Sequence, residues 1–160
     1  VNRSCLFLTL LLAGLAASGC GKKIGDSCNT NIDCDRYGGR ICDLSQPGGY
    51  CTEDGCDENS CPSESICVRF FDQKYATTAC DDQPCKANEM CVVREAGTSA
   101  PYRVCAPVAS ERRYCADKCN HDGDCRGAYS CQAAGTFGSL ALLKDPADEP
   151  DAKFCAPTPR

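Results

Sequence analysis

The chain has 160 residues, 17 Lys and Arg against 22 Asp and Glu, and a net charge of -5 with both signs interspersed. Without a basic stripe, nucleic acid and anionic lipid surfaces are poor partners on charge alone. From residue 20 onward, four Leu, four Ile, five Val and four Phe make 17 of 141 residues, below the roughly 20% under which chains resemble disordered ones. The same stretch holds 17 cysteines, and each disulfide is typically worth about 2–4 kcal/mol through the unfolded state. Cross-links therefore stand in for a large apolar core, and the expected fold class is small and disulfide-rich, with tandem cysteine modules, short β-hairpins and little regular structure.

The first residues read as a secretion signal: Arg3, an apolar run from Leu6 to Ala13, then small residues. About a dozen apolar residues cannot span a hydrocarbon core of roughly 30 Å. The run ends in Ala17-Ser18-Gly19-Cys20, which resembles a bacterial lipobox. That resemblance implies a signal peptide over 1–19, cleavage before Cys20, and diacylglycerol (palmitate-type chains) on the Cys20 thiol. Two or three chains anchor durably where one does not. Gly21, rather than Asp, follows Cys20; in similar enteric lipoproteins this is compatible with outer-membrane sorting. Ala17 stands where lipoboxes favour a branched aliphatic, and Ala17-Ser18-Gly19 also suits an ordinary signal peptidase. A secreted form is the alternative. Cysteine parity favours the lipid: Cys5 leaves with the leader, and without Cys20 sixteen cysteines remain, an even number. Residues 20–27, including the polar Gly21–Asp26, are then expected to form a short lipidated tether.

The sixteen cysteines recur in groups of four, written here as positions a, b, c and d. Module one (28–55) holds Cys28, Cys34, Cys42 and Cys51. Module two holds Cys56, Cys61, Cys67 and Cys80, and module three Cys80, Cys85, Cys91 and Cys105. Module four (116–160) holds Cys119, Cys125, Cys131 and Cys155, with a long inserted loop over 132–154. Such self-similarity signals an array of units too small to bury a core alone. Cys80 is claimed twice and Cys115 is spare, so residues 56–115 read as one fused unit of eight cysteines. Pairing within a module does not follow from sequence.

In chain order, Gly38-Gly39 and Gly48-Gly49 mark turns. Val68–Phe71, Met90–Arg94 and Tyr102–Val104 read as short strands, with hairpins expected between 66–72 and 75–80 and between 90–95 and 101–105. Ser139–Lys144 is expected as one or two helical turns capped by Ser139, followed by a surface loop from Asp145 to Asp151. The Cys-x4-Cys-x5-Cys spacing followed by a hairpin is similar to the start of EGF-like and follistatin-type units. Cys119-Asn120-His121-Asp122-Gly123-Asp124-Cys125 resembles the N-terminal cysteine-rich repeat of Dickkopf proteins.

Several chemistries fit poorly. No Cys-x2-Cys occurs and His121 is the only histidine, against structural zinc and thioredoxin-like redox sites. Around Gly123 an EF-hand loop would place Lys118 and Tyr129 where it needs an acidic residue and a glutamate. The plainer reading has Asp33 and Asp124 accepting backbone N–H groups in Asx turns. No catalytic residue, metal or cofactor is assigned, because His121 lacks a nucleophile context and the carboxylates sit on turns. The expected function is a membrane-anchored, non-catalytic binding or structural module of the bacterial envelope, with a protein or glycan partner and no nucleic acid. Phe70, Phe71, Tyr75 and Tyr102 are candidate contacts, unless they merely cover the disulfides. The alternative is a secreted protease-inhibitor-like protein presenting a stapled loop at 92–104 or 132–154.

Overall fold

The computed structural model describes residues 21–71, 78–80, 83–94, 102–136, 139–142 and 152–158. These residues form a small disulfide-rich fold of short antiparallel strands with one four-residue helix. The elements are α1 (Asn31–Cys34), β1 (Ile41–Cys42), β2 (Cys51–Thr52), β3 (Ser65–Phe71), β4 (Thr78–Ala79) and β5 (Glu89–Arg94). They continue with β6 (Tyr102–Pro107), β7 (Glu111–Asp117), β8 (Tyr129–Ala133), β9 (Ser139–Leu142) and β10 (Lys153–Pro157).

One pairing rule, a to c and b to d, governs all eight bridges. Module one carries Cys28–Cys42 and Cys34–Cys51; module four carries Cys119–Cys131 and Cys125–Cys155. Between them lie Cys56–Cys67, Cys61–Cys115, Cys80–Cys91 and Cys85–Cys105. The doubly claimed Cys80 thus serves as a of module three, and Cys115 is d of module two. Module three is inserted whole into the loop that Cys61–Cys115 closes. None of the eight joins 28–51 to 119–155.

The β-ribbons explain the rule. In every module c and d face each other across an antiparallel pair: Cys42 and Cys51, Cys67 and Cys115, Cys91 and Cys105, Cys131 and Cys155. Directly opposed residues put their side chains on one face of the ribbon. The preceding arm crosses that face and supplies a and b, one to each. The sulfurs of a, b and d lie within 4.8 Å of one another, so the two bridges of a module pack side by side.

The arm is held by a repeated polar device. The residue before b accepts from the backbone N–H after a. Asp33 Oδ2 takes Asn29 N at 2.8 Å, Ser60 Oγ takes Asp57 N at 2.8 Å, and Asp124 Oδ2 takes Asn120 N at 2.8 Å. Asp33 also accepts from Thr30 N and Asp124 from His121 N. These N–H groups hold both carboxyls below the usual carboxylate range. In modules two, three and four a turn then leads into c, closed by Ser65 N to Pro62 O, Glu89 N to Lys86 O and Tyr129 N to Arg126 O. Module one has a longer b-to-c loop, and there the Asp35 carboxylate gathers the N–H groups of Tyr37 and Gly39.

Two strand expectations are corrected. Thr78–Ala79, the described part of the expected 75–80 strand, pairs with β6 and not with β3, whose partners are β7 and β9 in the order β7-β3-β9. Residues 72–77 lie outside the described set. Residues 139–142 of the expected helix are instead the strand β9, paired with 70–67 of β3, and 143–144 lie outside the described residues. A one- or two-turn helix is marginal by itself, whereas pairing satisfies the second edge of β3. The Ser139 hydroxyl donates to Thr136 O at 2.7 Å instead of capping a helix. The hairpin expected between 90–95 and 101–105 is formed by β5 and β6, with Cys91 opposite Cys105.

Residues 21–27, within the stretch expected as a tether, pack against the folded body. Ile24, the one large apolar residue there, is 1% exposed and packs with Tyr50, Tyr129 and the cysteines of modules two and four. Gly25 N donates to Cys51 O at 2.9 Å, Cys51 N donates to Asp26 O at 2.9 Å, and the Arg40 guanidinium donates to Lys22 O. Gly49 has φ +67°, and a Cβ there would collide with the Cys28 carbonyl. Its glycine is what lets the turn close over the first bridge.

Candidate functional site

A cleft of about 90 Å³ opens where modules one, two and four meet. Its walls are aromatic: Tyr50, Phe70, Tyr114, Tyr129 and Phe154, with Asp43, Gln46 and Thr52 among the polar lining. Three of the rings, Tyr50, Tyr114 and Phe154, directly precede the d cysteine of their module. Side chains alternate faces along a strand, so a residue next to d points away from the stacked bridges and toward the neighbouring module. The alternation that hides the disulfides builds the aromatic wall.

The rings are fixed by contacts between modules. Tyr50 and Tyr129 stack with centroids 5.5 Å apart, and Phe70 meets Phe154 edge-on at 6.0 Å and Tyr114 at 6.5 Å. Arg126 lies 4.1 Å from the Tyr129 ring centroid, and its Nε donates to Gly25 O at 2.8 Å. Its Nη2 donates to Gly49 O and, at 2.7 Å, to the Tyr129 hydroxyl, which itself donates to Pro47 O at 3.1 Å. One guanidinium thus clasps the first module onto the fourth. On the floor, Thr52 Oγ1 donates to Cys115 O at 2.7 Å, and Asp117 N donates to the Tyr50 hydroxyl at 2.9 Å. Among the described residues no buried side-chain polar atom lacks a partner.

The electrostatics keep the phenols neutral. Burial is the main force pushing Tyr50, Tyr114 and Tyr129 above the usual tyrosine value; Asp43 adds to it at Tyr114 and Tyr129. Beside the cleft, burial and then the carboxylates of Asp26 and Glu64 push Asp117 up to about 6. Behind β3, Glu111 accepts both Arg69 Nε at 3.0 Å and Arg69 Nη2 at 2.8 Å and also binds Arg113, which holds its carboxyl below the ordinary range.

Of the two expected contacts whose side chains are described, Phe70 lines the cleft. Phe71 is 4% exposed and packs with Val92, Val104 and Ala106. Tyr75 and the side chain of Tyr102 lie outside the described residues, as do 95–101 and 143–151 in the two loops considered for inhibition. His121 stands apart from the cleft, with its Nε2 3.5 Å from Asp124 Oδ1. Each of the four three-sulfur clusters that could hold a metal is drawn from the bridged cysteines of one module. An aromatic residue directly before d in three modules is the sequence signal that points to Tyr50, Tyr114 and Phe154. Among the described residues, no helix is long and apolar enough to cross a membrane. No family model, curated protein or solved structure matches the chain, so the likeness to Dickkopf, EGF-like and follistatin-type repeats stays one of cysteine spacing.

Proposed function

We propose that the chain is an exported, lipid-anchored, non-catalytic binding module that receives a protein or glycan partner at the aromatic cleft. The observation that carries this reading is the cleft itself: five rings from three modules, locked by bridges and by Arg126. Drug-sized ligands need pockets of roughly 300–1,000 Å³, and about 90 Å³ suits one side chain or one face of a sugar ring. The polar rim of Asp43 and Gln46 supplies acceptors and donors to orient that group, and preorganised rings reduce the ordering cost of binding. Eight bridges suit an oxidising compartment, and the lipobox-like Ala17–Cys20 supports attachment to the envelope membrane. A photocrosslinking residue in place of Gln46, irradiated in native membranes, tests the reading. A dominant adduct that disappears with Phe70→Asp is expected. Labelling no stronger than from the same probe at Val108, away from the cleft, would remove the proposal.

A further inference from the structure

If Cys20 carries lipid, as proposed above, the docking of residues 21–27 has a geometric consequence. Consecutive Cα atoms are about 3.8 Å apart, so the anchor begins one residue from Gly21, with no slack between lipid and body. Gly21 is seated against the end of α1, where a Cβ on it would lie 3.2 Å from the Cys34 carbonyl oxygen. Three residues beyond Cys34 stands Tyr37, 98% exposed, and two residues before Cys34 stands Ile32, 71% exposed. Both are presented rigidly. Ile32 is in the helix stapled by Cys34–Cys51, and Tyr37 rides on the loop that Asp35 ties together. Of the four exposed large apolar side chains among the described residues, three (Ile32, Tyr37 and Leu44) belong to module one.

Charge is distributed to match. Residues 21–40 hold four cations and three carboxylates, whereas 41–160 hold twelve cations and nineteen carboxylates. The segment beside the anchor is thus net positive on an acidic protein. Lys23, which is exposed, follows the anchor closely, and exposed Arg36 adjoins Tyr37, while the Lys22 ammonium turns back to donate to Ser27 O. Tyrosine prefers the headgroup level, with its ring in the apolar boundary and its hydroxyl wet, and long cations reach along such a surface to the headgroups. We infer that the face formed by Gly21–Lys23, α1 and the Tyr37 loop is a membrane-seating surface, holding module one in the headgroup layer in a fixed orientation. Asp117, whose side chain lies beneath Gly25, ends β7, and Val108 lies beyond the opposite end of that strand, which spans roughly 20 Å at about 3.3 Å per residue.

The chain contains no tryptophan, so a single introduced indole reports alone. Tyr37→Trp and, as a control, Val108→Trp are made in the full chain, isolated from native membranes and reconstituted in phosphatidylethanolamine–phosphatidylglycerol vesicles with and without brominated acyl chains. The intact mass of each sample reads the lipid on Cys20 independently. With the lipid present, the emission of the Tyr37→Trp protein is expected to shift to the blue and to lose most of its intensity to bromine. The emission of the Val108→Trp protein is expected to stay unquenched. A lipidated protein whose two probes are equally quenched, or equally unquenched, overturns the seating surface and leaves the anchoring reading standing. An unmodified mass overturns both.

Discussion

Arg126→Ala probes the reasoning most sharply, because one side chain joins two modules that no bridge connects. It gives up hydrogen bonds from a charged donor to the carbonyls of Gly25 and Gly49, and its seat on the Tyr129 ring. Charged hydrogen bonds contribute about 1.5–3 kcal/mol each, and a half-buried cation–π contact about 0.5–2 kcal/mol. Allowing for non-additivity among contacts that share one group, opening of module one from module four should become easier by about 2–4 kcal/mol. At tenfold per 1.4 kcal/mol, the open population rises roughly 30- to 700-fold. Native-state hydrogen exchange reads it at the amides of Gly25, bonded to Cys51 O, and Cys28, bonded to Gly48 O. The β5–β6 amides, held by the separate Cys80–Cys91 and Cys85–Cys105 bridges, should exchange at their original rate. Arg126→Lys should fall between, since an ammonium keeps the charge and loses the fork. Unchanged exchange at Gly25 and Cys28, or equal acceleration throughout, would refute the clasp.

Other expectations follow from single residues. Asp117 has its folded pKa raised to about 6. Its contribution is therefore full below the unfolded value near 3.8 and is lost as pH rises through 6. Asp117→Asn should raise the melting temperature at pH 7.5 and change it little at pH 3.5, with the gain limited to about 1 kcal/mol because solvent screens a half-exposed group; an equal effect at both pH values would contradict this. Glu111, with its folded pKa lowered by Arg69 and Arg113, works in the opposite sense. Glu111→Gln should cost about 1–3 kcal/mol at pH 7, a cost that shrinks as the wild-type carboxylate protonates in acid, as thermal melts across pH would show. Asp124→Ala should lower the melting temperature and Asp124→Asn should lower it less, because Asn retains an acceptor for the Asn120 and His121 amides. Calcium should leave all three melting curves unmoved, and a calcium-dependent shift would revive the metal reading. Gly49→Ala should prevent correct closure of module one, and a peptide map retaining Cys28–Cys42 at wild-type yield would count against the close approach at Cys28.

How much was legible in sequence varies with the origin of each feature. The disulfide-rich class followed from scarce Leu, Ile, Val and Phe against abundant Cys, and the β5–β6 hairpin from residues alternating around Cys91 and Cys105. The Asx role of Asp33 and Asp124 was readable because a short side chain one residue before b has only the local amides within reach. The pairing rule was not readable, since any two cysteines of a module are compatible with spacing alone and the ribbon register selects among them. Partners distant in sequence were hidden too. Ser139–Leu142 looks helical until the free edge of β3 is seen, and Ile24 looks like a lone apolar residue in a linker until Tyr50 and Tyr129 enclose it. The cleft was half visible: an aromatic before the last cysteine of three modules is a pattern, but its convergence depends on how Arg126 and β9 draw the modules together.

The proposed lipid anchor on Cys20 and the disulfides that stand in for an apolar core can be read together in one experiment. Intact mass of the protein from its native membrane, with and without reduction before alkylation, tests them most directly. A diacylglycerol-bearing chain that begins at Cys20 is expected, with no alkylation before reduction and sixteen alkylated thiols after it. An unmodified amino terminus, or free thiols in the unreduced protein, would contradict this.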